Sequence, residues 1–204
     1  MRTVKMRPYR MRRRAQHIEG TRQRIIEAAA RLHTTIGPAN TSIAGIAHAA
    51  GVTRLTVYRH FPDIEDLFVA CKTHWSATHP RPDIEAWRRV PDLERRSRRA
   101  FRDLYAWYAE HGPSLLPIHR DIEAMPAGAQ AGMRAELEAL ADALIGDVAG
   151  VGSRGKRARA TAAHLLSLPT WHSLAVDQGL GTAAAASLAT ELLLAVATDS
   201  GRRR

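Results

Sequence analysis

Residues 41–61 read TSIAGIAHAAGVTRLTVYRHF, and this stretch limits the possible folds more than any other part of the chain. Thr41 and Ser42 are N-cap residue types placed just before Ile43, Ile46, Ala47 and Ala50, an apolar row on one face of a short helix. Gly51 follows where the chain must turn sharply, since glycine enters the left-handed region without a Cβ penalty. A second short helix is expected from about Thr53 to His60, with Val57 and Phe61 facing inward beside Val52. Two short helices joined by a glycine turn form a helix-turn-helix. The small residues Ala44, Gly45, Ala47, Ala49 and Ala50 let the two helices approach closely. Arg54, Leu55, Thr56, Tyr58, Arg59 and His60 are left mostly outward. Such a set suits a DNA major groove, which admits one helix. A glycine turn also occurs in helical hairpins that bind nothing, so the pattern needs independent support.

Charge supplies it. The net charge is +10 over 204 residues. Residues 1–64 carry twelve Lys/Arg against Glu19, Glu27 and Asp63, whereas residues 65–204 carry eighteen against seventeen acids. Nearly all the excess therefore sits in the first third. A concentrated positive field favours a polyanion: nucleic acid first, an acidic membrane surface second. A basic tail that only aids solubility is the plain alternative. Seven of the cations fall within residues 1–20, which show little apolar periodicity and are expected to form a flexible basic arm.

From Thr21, a plausible cap, the pattern becomes helical, with Ile25, Ala29, Leu32 and Ile36 on one face until Gly37-Pro38. Pro62-Asp63 starts a fourth helix with Leu67, Phe68, Cys71 and Trp75 as its stripe. Further breakers at 79–82, 90–91, 112–113, 126–128, 150–152 and 179–181 separate helical patterns at roughly 92–110, 114–124, 128–148, 155–178 and 182–198. Pro169, inside one of these, should kink or break it. The expectation is an all-α chain of about nine helices: a basic arm over 1–20, a helix-turn-helix domain over 21–67 and a helical ligand-binding and dimerisation domain over 68–204.

Residues 21–67 resemble the N-terminal domain of the TetR/AcrR family of regulators. Thr41, Ile46-Ala47, Ala50-Gly51-Val52, Tyr58, Phe61 and Leu67 carry the resemblance. It implies a regulator that binds palindromic double-stranded operator DNA as a homodimer and answers to a small-molecule effector of unknown identity. A ligand-responsive repressor is the leading expectation, with an activator or an architectural, non-specific DNA-binding protein as alternatives. By resemblance, Thr41 and Ser42 would contact phosphate, and Thr53 would cap the recognition helix. Arg54, Leu55, Thr56 and Arg59 would approach bases or nearby backbone, and Tyr58 and His60 would hold phosphates. Two positions depart from the family pattern: Leu55 stands where a small residue is frequent, and Ile64 stands where a phosphate-binding lysine is usual. Ile64 is not assigned to DNA.

The other candidates carry less. Arg95, Arg98, Arg99 and Arg102 form a basic stripe that reads as a solvated face beside Asp92, Glu94 and Asp103. The spacings His74/His79 and His164/His172 match no metal motif, so no metal and no cofactor are expected. Cys71 reads as inert core. No nucleophile elbow, phosphate loop or catalytic acid pair is found, so no enzyme is expected. One cysteine and no apolar run long enough for a bilayer point to a cytoplasmic protein without a membrane partner; the basic N-terminus lacks the apolar segment of a secretory signal. For the effector, the central helices of the family form a pocket, and Trp107, His111, Trp171 and His172 are the residues singled out, core filling being the alternative for each. Leu165, Leu168, His172 and Ala175, with Leu188, Leu192 and Ala195 and the adjacent Leu193 and Val196, form the rows expected at the dimer seam.

Overall fold

Glycine and proline mark most of the element ends, and tertiary packing overrides them at two places. The computed structural model describes residues 6–146 and 152–198, with side chains from Met11 onward. Among these residues the chain is all helical: α1 (Met6–Thr35), α2 (Ile43–Ala50), α3 (Arg54–His60), α4 (Ile64–Thr78), α5 (Ile84–Arg88), α6 (Leu93–Arg120), α7 (Ala127–Ile145), α8 (Ser153–Leu165), α9 (Leu168–His172) and α10 (Gly181–Thr198). Short 3-10 turns cover Pro38–Asn40 and Ile122–Ala124, and a π-helical turn covers Ser173–Asp177. Two compact units result. One comprises residues up to Thr78 together with Asp121–Ala129; the other comprises His79–Arg120 and the described residues from Gln130 onward.

The first unit packs α1 against α2 and α4, with Ile25, Ile26, Ala29, Ile46, Val57, Phe61 and Leu67 in its core. Fully burying a side chain such as Val57 contributes about 1.5–3 kcal/mol. Four expectations are corrected here. Residues from Met6 to Gly20 are the opening turns of α1, not a flexible arm: the helix runs on through Gly20 into the amphipathic stretch that follows. Residues 1–5 of that expected arm lie outside the described residues. Thr21 is inside α1 and its hydroxyl donates to the His17 carbonyl at 2.9 Å, the back-bond of a mid-helix threonine, so it is no cap. Ile36, one residue past the helix end, is exposed, and Ile26 and His33 fill the core instead. The unit does not end at Leu67. α4 continues to Thr78, and buried Cys71 reaches the Ile26 carbonyl of α1 (Sγ to O, 3.6 Å).

In the second unit α6 runs unbroken through Gly112-Pro113, where the sequence suggested a stop, and on through Pro117. Each proline removes one backbone bond but holds a φ compatible with the helical path. Gly112 is required by packing: a Cβ there would lie 2.7 Å from a ring carbon of Trp171. The stretch 155–178, which Pro169 was expected to kink or break, is divided at Leu166-Ser167. Pro169 falls in the first turn of α9, where its missing N–H costs least. The carbonyls at this break find side-chain donors: the Tyr105 hydroxyl donates to the Leu165 carbonyl at 2.7 Å, the acceptor Pro169 leaves without an N–H, and the Tyr108 hydroxyl donates to the Leu166 carbonyl at 2.9 Å. Burial raises both phenols, Tyr108 to about 12, so both remain donors at neutral pH. α5 was not expected. Asp83 caps it, accepting from the Glu85 and Ala86 amides, and it buries Trp87.

α10 packs on α6 and α8 through Ala185, Ala189 and Leu193. By length and composition it is apolar enough to cross a bilayer, with a mean hydropathy of 1.4 over Gly181–Thr198. The expected lack of an unbroken apolar run of that length still holds. Alanine carries the average across Glu191, which interrupts the strictly apolar run.

Candidate nucleic-acid interface

α2 and α3 are held by their own caps. The Ser42 Oγ accepts from the Gly45 amide at 3.0 Å, and the Thr53 Oγ1 accepts from the Thr56 amide at 3.2 Å. Gly51 lies in the left-handed region at φ 64°, ending α2, and Val52 N–H closes on the Ala47 carbonyl at 2.9 Å. This is the glycine-terminated helix end that frees the chain to start α3 three residues later. Val57 and Phe61 then anchor α3 in the core. The Arg22 guanidinium of α1 lies 4.6 Å from the centre of the Phe61 ring, a cation–π contact at the C-terminal end of α3.

With that side fixed, the opposite side of α3 is presented to solvent. Arg54, Leu55, Tyr58 and Arg59 are exposed, Leu55 at 78%, while Thr56 and His60 are half-buried. Thr56 is tied to the cap, its hydroxyl 3.0 Å from that of Thr53. His60 has its pKa lowered from the ordinary histidine value, first by burial, then by Arg59 and Arg22, with Glu19 opposing. It therefore stands neutral beside its two arginines at pH 7.

Two of the sequence assignments shift. Thr41 donates its hydroxyl to the Gly37 carbonyl at 2.8 Å and its amide to the Pro38 carbonyl at 3.1 Å. Both of its donors are taken, so Thr41 shapes the turn into α2. Ser42, which accepts through its oxygen, still has a hydroxyl proton to offer a phosphate. Ile64, where a lysine was expected by resemblance, is 43% exposed and lines a shallow cleft of about 560 Å³ with Ile43, Tyr58 and Pro62. The first turn of α4 adds only Glu65 and Asp66. The sequence reading missed Arg22 and Glu19 as neighbours of α3. Their spacing from Ile25 carried the signal, since Arg22 lies three residues before it and so overhangs the same face.

A profile of the family described as "Bacterial regulatory proteins, tetR family" matches residues 25–71, which take in α2, α3 and the core side of α1 and α4. Over these residues the chain matches the TetR family. The HTH-type transcriptional regulator AcrR of Shigella flexneri is 49% identical over 53 residues, 26% of this chain and 25% of that protein. The HTH-type transcriptional regulator TtgR of Pseudomonas putida is 41% identical over 69 residues, 34% of this chain and 33% of that protein. The chain thus spans a quarter to a third of the length of the curated relatives it matches. A TetR-like transcriptional regulator from Rhodococcus sp. RHA1 is a looser structural neighbour, with a TM-score of 0.49 at 19% identity, covering 88% of this chain and 94% of its own.

In the second unit, the four residues singled out for an effector are partly gathered. Trp107 meets His111 at 5.0 Å between ring centroids and Tyr108 at 5.6 Å; Tyr108 meets Trp171 at 5.8 Å; Trp171 meets His172 at 6.1 Å. Tyr108 is the link, and it lay outside the chosen four. Trp107 also lines an open cleft of about 370 Å³ with Arg81, Arg99 and Asp103. A second cleft, of about 540 Å³, lies between α6 and α10 and is lined by Arg98, Arg102, Thr182, Ser187 and Glu191. Trp107 is the one of the four that lines either cleft. Arg98 pairs with Glu94, and Arg99 and Arg102 with Asp103, as on a solvated charged face.

Proposed function

We propose that this protein is a transcriptional regulator that binds palindromic operator DNA as a homodimer, acting as a ligand-responsive repressor in the cytoplasm, with no chemistry of its own. The observation that carries the reading is the two-sided construction of α3. Val57 and Phe61 lock one side into the core, so the other offers Arg54, Leu55, Tyr58 and Arg59 in fixed register to a groove. The relatives matched over this stretch are named transcriptional regulators. Arg54 and Thr56 are assigned to base reading, Leu55 to a thymine methyl, and Ser42, Tyr58 and Arg59 to phosphates.

The dimer seam is assigned to the outer row of α10. Leu165, Leu168, Ala175 and Leu193, expected at the seam, are buried within their own unit and drop out. Leu192 is 44% exposed, Ala195 is exposed, Leu188 and Val196 are half-buried, and Val176 and Leu180 are exposed just upstream. Burying this row in an isologous contact would set the spacing of two recognition helices. The effector is assigned to the second unit, where the buried Trp171 Nε1 has no hydrogen-bond partner among the described residues. A ligand that binds one helix spacing better than the other shifts the equilibrium by that difference alone.

Selection of duplexes from a random pool tests the reading. An enriched inverted repeat with half-sites roughly 34–36 Å apart, or a multiple, is expected. The protein should sediment as a dimer, and Leu192→Arg should give monomers with lost operator affinity. A pool with no enriched sequence, or a Leu192→Arg variant still dimeric and fully DNA-binding, would overturn it.

A further inference from the structure

Fifteen residues of α1, Met6–Gly20, precede Thr21, the first buried side chain among those described in the helix. At 1.5 Å per residue they span about 22 Å. Every described side chain among them, from Met11 to Gly20, is exposed. The overhang begins beside the recognition helix, because Arg22 of α1 sits over Phe61, the residue that closes α3. Counting back from Arg22 by helical turns places Ile18, Ala15 and Met11 on the same side. Ile18 is 47% exposed and Met11 68%. Arg12 and Arg14 fall about 80° to either side of that row, and Arg13 falls on the opposite face. The outer end of the overhang is therefore an apolar row between two arginines, and Glu19, about 60° from the row, is the one acid beside it, where the overhang meets α3.

Taking α3 as the DNA-reading helix, we propose that the overhang of α1 is a second, preformed DNA-binding element, in which Arg12 and Arg14 hold backbone phosphates beside the half-site while Arg13 faces away from the DNA. Duplex backbone matches this face, since its apolar sugar edges lie between charged phosphates. The surface next to α3 on the other side has no cation to set against its acids: it carries Asp63, Glu65 and Asp66, and Ile64 is uncharged. A helix also loses less conformational entropy on binding than a disordered arm of equal charge.

The test compares wild type, the Arg12→Ala/Arg14→Ala double variant and Arg13→Ala. Each binds a duplex that the wild type has selected from a random pool, over a range of KCl concentrations. Removing one phosphate-binding arginine should lower the slope of log K against log [salt] by about 0.9, so the double variant should show a slope smaller by about 1.8 for each protomer. Arg13→Ala should keep the wild-type slope. Equal reductions in the two variants would mean that only bulk charge matters and would overturn the proposal. So would an unchanged slope in the double variant. Vesicles of phosphatidylserine and phosphatidylcholine form a further arm: loss of vesicle binding by the double variant, with its DNA slope intact, would assign the face to membrane and overturn the proposal. A double variant that keeps its slope while the protein still selects a sequence sinks the overhang alone. Wild-type protein that binds no duplex sinks the DNA reading of α3 as well.

Discussion

The two units place their polar chemistry on opposite sides of their cores. In the N-terminal unit the core is mostly aliphatic, with Phe61 and the buried His33 as its rings, and arginines, tyrosine and hydroxyls face outward on α2 and α3. In the C-terminal unit the polar-edged aromatics Tyr105, Trp107, Tyr108 and Trp171 are buried. The family match covers residues 25–71, entirely inside the first unit. A surface shaped for a partner of fixed geometry, such as the DNA groove, restricts which residues can stand there and at what spacing. An interior shaped around itself accepts many combinations of similar volume.

Each unit also buries a basic side chain, and the two differ in kind. Arg96 of α6 is buried in the second unit with carbonyls for partners: Nε donates to Val90 at 2.7 Å, Nη2 to Pro91 at 3.2 Å, and Nη1 to Leu144 at 3.3 Å and Ile145 at 3.5 Å. It closes the C-terminal end of α7, where a cation also suits the helix dipole. Replacing it by methionine keeps the stem and strands those carbonyls. Arg96→Met should cost about 3 kcal/mol of stability, seen as a lower urea midpoint. The readout is tryptophan fluorescence, since Trp87, Trp107 and Trp171 all lie in this unit. An unchanged midpoint would remove the distinction between a charged clamp in this unit and a neutral core in the other.

His33 is the counterpart in the first unit. It is stacked on Phe68 with ring centroids 4.6 Å apart, and burial lowers its pKa to about 4. Between that value and the ordinary 6.5, the unfolded chain binds a proton that the folded unit does not. Stability is therefore full above pH 6.5 and lost as pH falls towards 4. His33→Gln should remove this part of the pH dependence, an effect of about 2 kcal/mol at about pH 5 once the two proteins are compared relative to about pH 7.5. Parallel stability curves for wild type and variant across that interval would show that His33 is not held neutral.

The same contrast governs what was legible in the sequence. The caps at Ser42 and Thr53, the left-handed Gly51, and the burial of Val57 and Phe61 follow from rules that act within a few residues, and α2 and α3 stand where those rules put them. The continuity of α6 through Gly112-Pro113 depends on Trp171, nearly sixty residues away, so local punctuation misread it. The break before Pro169 was expected, but the phenols of Tyr105 and Tyr108 that complete it were not. Leu165 and Leu168 read as a seam because periodicity identifies an apolar face without saying which neighbour covers it. The basic segment before Thr21 read as an arm because its helix has little apolar face to show until Arg22 anchors it at Phe61.

Binding of Arg54→Ala to the selected operator and to a random duplex, at one salt concentration, bears most directly on the function of α3. Arg54 stands exposed at the first turn of the helix. A bidentate contact to guanine contributes about 1–3 kcal/mol of discrimination, so operator affinity should fall roughly five- to 150-fold while affinity for random DNA changes little. Equal reductions on the two duplexes would place Arg54 on phosphate and contradict sequence reading from the start of α3.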